Sequence, residues 1–370
     1  MAANPSPLST LMLLAAYLLS GGSPANPASG TPPQTSPAVR PPAMGDTFRL
    51  AGASRRPRYV LGYYAQFSPD DRAAQDSLTT HRHQLTSVAP LWYSLSASGT
   101  LVRRGYDHAP VRQVASQAGL PVLALVTNSG MNNAVVTDPH SRARAIETLH
   151  ELVRREGLGG VNIDFEGLKP AAGAAFTAFV RELAQRLRPE GYLVTVAVPA
   201  RRTDDPGDDW TSAYDYGALG KVADYLVLMA YDQHWQTGTP GPVAALWWVE
   251  DVVRYAVARV PAKRLLLGLA GYGYDWSDGP QAQVVPAAGA ERLAVRHGVR
   301  LRWDETAAEA TFTYWQGATR HTVWVENSYS VEQRLPLVAK YGLAGVALWR
   351  LGQEEDRLWQ ILDRFRNADK

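Results

Sequence analysis

The chain has 370 residues, 46% hydrophobic and 19% charged, with a formal net charge of +2 and no cysteine. That apolar content suffices for a large core in one or two domains, while the missing cysteine excludes disulfides, thiolate metal sites and a lipidated cysteine anchor. The near-zero net charge offers no strong field toward nucleic acid or an anionic membrane, and the eleven Trp and seventeen Tyr are core material that also suits stacking on sugars.

At the N-terminus, Leu8 to Leu19 reads "LSTLMLLAAYLL", apolar but too short to cross a bilayer as an ordinary helix. "SGGSPA" follows at Ser20 to Ala25, with Ser23 and Ala25 at the spacing of a signal-peptidase site. Residues 1–25 are therefore expected to be a secretory signal peptide. No Lys or Arg precedes Leu8, so an uncleaved apolar segment or a misplaced start is the alternative. Residues 26–45 are rich in Pro, Ser, Ala and Thr with one charge, Arg40, and read as a disordered or polyproline-like tether. No transmembrane span is expected, and the protein is placed outside the cell or in its envelope.

Eight short apolar runs follow: "YVLGYY" at Tyr59, "SVAPLWYSL" at Ser87, "PVLALVT" at Pro121, "GVNIDF" at Gly160, "LVTVAVP" at Leu193, "YLVLMAY" at Tyr225, "RLLLGLAGY" at Arg264 and "GVALWRL" at Gly345. Most are nearly continuous, as in parallel strands covered on both faces. Helical patterns lie between them. Asp138-Pro139 opens one, with Ile146, Leu149, Leu152 and Val153 on a face and Gly157 as the stop. Phe176, Phe179, Val180, Leu183 and Leu187 form a second, and Trp247, Val252, Tyr255 and Ala256 a less regular third. The alternation predicts an α/β fold, a (β/α)₈ TIM barrel spanning 46–370. A doubly wound open sheet gives the same alternation, since periodicity does not show closure. The interval from about Tyr274 to Tyr341 is longer than one helix needs, and "TFTYWQGATRHTVWVEN" within it signals a hairpin. A small α+β insertion between strands 7 and 8, about 274–341, is expected there.

The fourth run carries chemistry. In "GGVNIDFEG", Gly159 to Gly167, polar and apolar residues alternate. A strand sends alternate side chains to opposite faces, ~7 Å apart along each face. Asn162, Asp164 and Glu166 thus share one face and point toward the carboxyl end, where barrel active sites lie. Neighbouring carboxylates resist ionising together, so one has its pKa raised. A protonated Glu at a strand tip can protonate a leaving oxygen. A buried hydrogen-bonded polar layer in the barrel, or a salt bridge with a Lys or Arg, is the alternative reading of the spacing.

The same residues resemble the fourth-strand motif of glycoside hydrolase family 18, the chitinase-like family, Asp-Gly-x-Asp-x-Asp-x-Glu. The last two acids match at Asp164 and Glu166; Asn162 and Gly159 stand where the family has acids. "LMAYDQHW" resembles the sixth-strand Met-x-Tyr-Asp at Met229, Tyr231 and Asp232; "GVALWRLG" resembles the eighth strand with its sugar-floor Trp, here Trp349; "LGYY" resembles the first, with Tyr63 facing the pocket. "VNIDFEGL", "AYDYGALG" at Ala213 and "RHTVWVENSYS" at Arg320 are most similar to the branch of bacterial spore-cortex-lytic and peptidoglycan N-acetylglucosaminidases. The resemblance implies a retaining hydrolase of N-acetylglucosamine-containing glycans, peptidoglycan or chitin-like, acting as a monomer without cofactor or metal. It implies Glu166 as acid and base, Asp164 orienting the substrate's acetamido group and Tyr231 bonding its carbonyl. Asn162, Tyr63, Met229, Asp232 and Trp349 are the expected substrate contacts.

Plain structural roles compete at each position. Met229 suits barrel packing, Asn162 a neutral spacer, Tyr231 and Asp232 a strand-ending turn, and Trp349 a core residue. Tyr63 suits the core too, since either it or Tyr64 could face inward. A non-catalytic, lectin-like sugar-binding protein is the alternative function; such proteins typically lack the acid at the position of Glu166. The "HRH" at His81 to His83 lacks a carboxylate at matching spacing and is expected on a solvated helix surface, and the Asp204, Asp205, Asp208 and Asp209 cluster on a loop at the cleft rim.

Overall fold

The computed structural model describes residues 58–103, 107–205 and 207–368. The expected signal peptide and tether lie outside the described residues. No described helix is long and apolar enough to cross a membrane.

In chain order the strands are β1 (Tyr59–Tyr64), β2 (Ser87–Leu95), β3 (Leu101–Arg103), β4 (Leu123–Asn128), β5 (Gly160–Asp164), β6 (Leu193–Pro199), β7 (Tyr225–Met229), β8 (Leu265–Leu269), β9 (Tyr272–Trp276), β10 (Gln283–Pro286), β11 (Arg302–Asp304), β12 (Glu309–Gln316), β13 (Thr319–Val325) and β14 (Gly345–Leu348). The parallel order is β1-β14-β8-β7-β6-β5-β4-β2, and β1 also pairs with β2. The sheet therefore closes on itself, and the open-sheet alternative falls. β3 is a short antiparallel addition to β2. β1, β2, β4 to β8 and β14 are thus the eight strands of a (β/α)₈ barrel, with helices between them.

The helices form where the sequence punctuates them. In Pro139–Glu156, Asp138 accepts from the Ser141 N–H at 2.8 Å, Pro139 fills the first position and Gly157 closes at φ +61°. Ile146, Leu149, Leu152 and Val153 are its buried stripe. In Gly173–Leu187, Phe176 and Phe179 pack on Phe165, with ring centroids 5.9 and 5.3 Å away. That contact settles which way β5 faces. Phe165 belongs to the outer layer under the helix, so Asn162 and Asp164 point into the barrel.

The α+β insertion starts three residues after β8. β10-β9-β13-β12-β11 form an antiparallel sheet from Tyr272 to Val325, and β12 and β13 are the expected hairpin, joined through Gly317-Ala318. One face packs Phe312, Tyr314, Val323 and Val325 against Ala290 and Ala294 of helix Ala287–Arg296, a second small core. Helix Ser328–Tyr341 packs instead against helices Leu246–Val257 and Asp356–Asn367 in the barrel's outer layer.

A wholly buried charge cluster binds insertion to barrel. Glu309 of β12 accepts from the Val243 and Ala244 N–H groups at 2.7 and 2.8 Å, in the loop after β7. Glu326, just past β13, accepts from the Ala270 N–H at 2.6 Å, at the end of β8. Arg334 stands between them, 3.0 Å from Glu309 Oε1 and 3.4 Å from Glu326 Oε1, and also donates to the Ala244 carbonyl. All three are 0% exposed. Burial pushes the Glu309 carboxyl up to about 7 against the pull of Arg334. Removing one member of a buried ion pair strands the other, at ~3–5 kcal/mol. Arg334→Met is therefore expected to lower unfolding free energy by ~3–5 kcal/mol in denaturant titration; a loss below ~0.5 kcal/mol would deny the cluster this role.

Candidate active site

β5 ends at Asp164, level with Thr127 of β4. Asn162, Asp164 and Glu166 are 0%, 5% and 3% exposed, so the polar stripe is enclosed by the barrel rather than laid on a surface. Asn162 is saturated from two sides. Its Oδ1 accepts from the Tyr63 hydroxyl at 3.3 Å, and its Nδ2 donates to Thr195 Oγ1 at 2.7 Å, which in turn donates to the Val161 carbonyl at 3.1 Å. Tyr63 is thereby the inward-facing tyrosine of the pair.

Asp164 differs. Its Oδ1 is buried without a hydrogen-bond partner among the described residues. Burial pushes its carboxyl up to about 7, because a dry interior disfavours the charged form. The raised acid expected from the paired carboxylates is thus found at the inner position.

Glu166 lies beyond the strand, and its main chain is held by side chains. Asn128, the last residue of β4, accepts from the Glu166 N–H at 2.9 Å and donates to the Glu166 carbonyl at 2.8 Å. The Tyr214 hydroxyl donates to the Phe165 carbonyl at 2.6 Å. The chain then turns through Gly167 at φ +64°, where a Cβ would lie 2.8 Å from the Met131 sulfur.

Tyr231 faces this group from the end of β7. Burial holds its hydroxyl well above the ordinary tyrosine range, and the charges of Tyr63, Asp164, Asp232 and Glu166 add to the shift. It is therefore a donor at any physiological pH. Asp232 follows in the left-handed region at φ +59°, which Asp tolerates better than most residues. Its Oδ1 accepts from the Tyr272 and Tyr274 hydroxyls of β9 at 2.6 and 2.8 Å, so the insertion grips the barrel mouth there too. Trp349, directly after β14, is 8% exposed and meets the Tyr63 ring edge-on at 5.4 Å. Its N–H donates to the Leu269 carbonyl at 2.8 Å, and the Trp349–Arg350 peptide bond is cis. Met229 ends β7, part-buried against the core.

Tyr63, Asn162, Asp164, Glu166, Tyr231 and Trp349 are thus gathered at the carboxyl ends of β1, β5, β7 and β14, with Asp232 at the mouth. Asn128, Tyr214, Thr195, Tyr272 and Tyr274 join them without having been singled out. Asn128 had a signal: it directly follows the third apolar run, at the level where barrel chemistry collects. Tyr214 lies in "AYDYGALG", and Tyr272 and Tyr274 alternate in "AGYGYDW". Among the described residues, no group of His, Asp and Glu could hold a metal ion. His81 is half-buried and stacks on Trp359 at 4.4 Å, so it is not the solvated group expected of it. In the acidic loop, Asp204 accepts from Tyr255 and Arg259, each at 2.6 Å, and is held below the usual carboxylate range first by those hydrogen bonds.

The chain matches the family model "Glycosyl hydrolases family 18" over residues 60–354. It is 27% identical over 317 residues to the uncharacterized glycosylase YvbX of Bacillus subtilis (strain 168), covering 82% of this chain and 91% of that one. It is 26% identical over 291 residues to the cortical fragment-lytic enzyme of Bacillus anthracis, covering 75% and 67%. The crystal structure of a chitinase from Chromobacterium violaceum ATCC 12472 superposes with a TM-score of 0.76 at 32% identity, covering 83% of this chain and 98% of that one. A model match over most of the chain, with the two acids at the tip of β5, leaves one assignment: this chain belongs to family 18 of the glycosyl hydrolases and is a glycosidase.

Proposed function

We propose that the chain is a secreted, retaining hydrolase of N-acetylglucosamine-containing glycans, peptidoglycan or chitin-like, and that the substrate's own 2-acetamido group is its nucleophile. One observation carries this reading. Asp164 ends β5 and Glu166 follows it two residues on, so both carboxyls come from one segment and not from opposite faces of a sugar. The acid across the mouth, Asp232, has an oxygen committed to two phenols. A retaining enzyme with that layout takes its nucleophile from the ligand, the exception family 18 makes to the two-carboxylate scheme. The relatives' names point to the same sugar from two sides, one to spore cortex fragments and one to chitin. The retained Glu166 argues against a protein that only binds sugar.

The geometry then does the following. Trp349 and Tyr63 floor the pocket, and the sugar's acetamide lies between Tyr231 and Asp164. Tyr231 donates to the acetamide carbonyl; Asp164 accepts from its N–H. A carboxyl that holds its proton up to about 7 must yield it when the amide arrives, and Glu166 is the neighbouring base that can take it. Glu166 next gives that proton to the glycosidic oxygen while the acetamide oxygen attacks the anomeric carbon and the bond to the leaving group breaks. The oxazolinium that forms is balanced by the Asp164 charge, an interaction made mainly in the transition state. Glu166, now a carboxylate, takes a proton from water as the water opens the ring, and the configuration is retained.

Glu166→Gln is expected to bind chito-oligosaccharides as the parent does and to lose ~10²–10⁴-fold or more in turnover, measured as reducing-end release; equal turnover would sink the assignment. Substrates carrying a free amine instead of the acetamide at the cleaved unit are expected to stay intact, with fragments identified by mass spectrometry. Efficient cleavage of that unit, or a glycosyl ester trapped on Asp164, would leave a conventional two-carboxylate enzyme.

Asp164 also makes a prediction on stability. Its folded pKa is about 7 against 3.8 for the ordinary group, so between those values the folded state keeps a proton that the unfolded chain releases. The stability from this group is full below about pH 4 and is lost as pH rises through about 7. Asp164→Asn has no such proton. Urea titrations across that range should show wild type losing stability relative to the variant as pH rises; parallel curves would refute the buried carboxyl.

A further inference from the structure

We infer that Asn128 is a positioning residue for the acid, fixing the main chain of Glu166 so that its carboxyl meets the leaving oxygen. The inference rests on the reading of Glu166 as that acid. The β4–β5 ladder stops at Thr127 and Asp164. Two residues on, the Glu166 peptide groups are buried with no strand beside them, and each such group left unsatisfied costs ~1–3 kcal/mol. The Asn128 side chain takes the missing strand's place. A primary amide carries the donor and acceptor of a peptide, and here the two meet the N–H and C=O of one residue, at 2.9 and 2.8 Å. This pairing forces the amide's orientation, since the opposite flip would set donor against donor. Nδ2 also donates to the Asn132 carbonyl at 3.2 Å, which ties the clamp to its own loop.

Two further facts assign Asn128 a role through Glu166 rather than on the substrate. It is 0% exposed, so a glycan cannot touch it. The neighbouring peptide is held separately, by the Tyr214 hydroxyl on the Phe165 carbonyl. The acid therefore stands on a short segment gripped by two side chains, released into a turn at Gly167. Asp at 128 keeps the acceptor for the Glu166 N–H and loses the donor to its carbonyl. The carboxyl of Glu166 is then expected to sit less well on the leaving oxygen, while the acetamide pocket of Asp164 and Tyr231 is unchanged.

A leaving-group series reads this out. Wild type and Asn128→Asp are compared by kcat/KM on aryl β-glycosides of N,N′-diacetylchitobiose, with phenols graded from strongly to weakly acidic. A strongly acidic phenol departs without a proton, whereas a weakly acidic one depends on Glu166, whose full help is ~10²–10⁴-fold. The variant is expected to lose less than ~3-fold on the most acidic phenol and ~30–100-fold on the least, and to melt several degrees below wild type, since the Glu166 carbonyl loses its donor. A loss of one size across the series would mean a merely structural residue and overturn the inference, as would no loss on any phenol. If Asn128→Asp does not fold, Asn128→Ser, which cannot meet the N–H and C=O of Glu166 together, is read on the same series, and a steeper dependence on phenol acidity is again expected; an unchanged slope overturns the inference. Glu166→Gln with the wild-type dependence on phenol acidity would instead bring down the reading of Glu166 as the acid, and the clamp's catalytic role with it.

Discussion

The structure depends on one constraint: β5 and the two residues after it must bury two carboxyl groups and an amide in a closed barrel. Burying a charge costs several kcal/mol even after relaxation, and the surroundings answer that cost residue by residue. Asn162 is neutral, with its carbonyl bonded to Tyr63 and one amide hydrogen to Thr195. Asp164 keeps its proton to about 7 instead of presenting a bare charge. Tyr231, Tyr63 and Tyr214, all pushed up first by burial, stay protonated around the acids. Pleating sends Phe165 the other way, into the aromatic layer under helix Gly173–Leu187. The same alternation thus builds the reaction centre on one face and anchors it on the other.

The insertion obeys a related rule. An insertion between barrel strands has only its own small core and would swing unless its position were specified. Polar contacts of fixed geometry specify it here. Glu309 and Glu326 reach from the insertion to the N–H groups at the ends of barrel elements, and Arg334 lies between them. Tyr272 and Tyr274 reach the other way, to Asp232, beside Tyr231. The Tyr231 side of the site is thereby tied to the insertion. A substitution in the buried charge cluster accordingly loosens the site as well as the fold.

Reading the sequence recovers the parts set by local patterning and misses those set by distant pairing. The eight apolar runs and the period-2 stripe are local, so strand identity and the inward face of Asn162, Asp164 and Glu166 were legible. Closure was not, because the pairing of β1 with β14 joins distant parts of the chain, Tyr59 with Gly345. The insertion's start was blurred because β8 and β9 lie within one stretch, "LLLGLAGYGYDW". Its end was blurred because helix Ser328–Tyr341, which follows β13 after two residues, belongs to the barrel layer. Arg334 carried no signal at all: a lone arginine in a helix reads as surface, and only the two glutamates brought by the insertion make it an interior group.

Asn162 is the instructive departure from the family's pattern. With an acid there, the interior would hold three titrating groups, and the proton on the outermost could be exchanged down the stripe. An amide bonded at both ends cannot join such an exchange: it has no proton to release, and its orientation is fixed by Tyr63 on one side and the Thr195–Val161 chain on the other. Asp164 is then the inner titrating group of the stripe, with its carboxyl raised by burial. On the proposed mechanism the substitution removes a relay and leaves Asp164, whose carboxyl holds its proton up to about 7, as the inner acid that answers the substrate's acetamide.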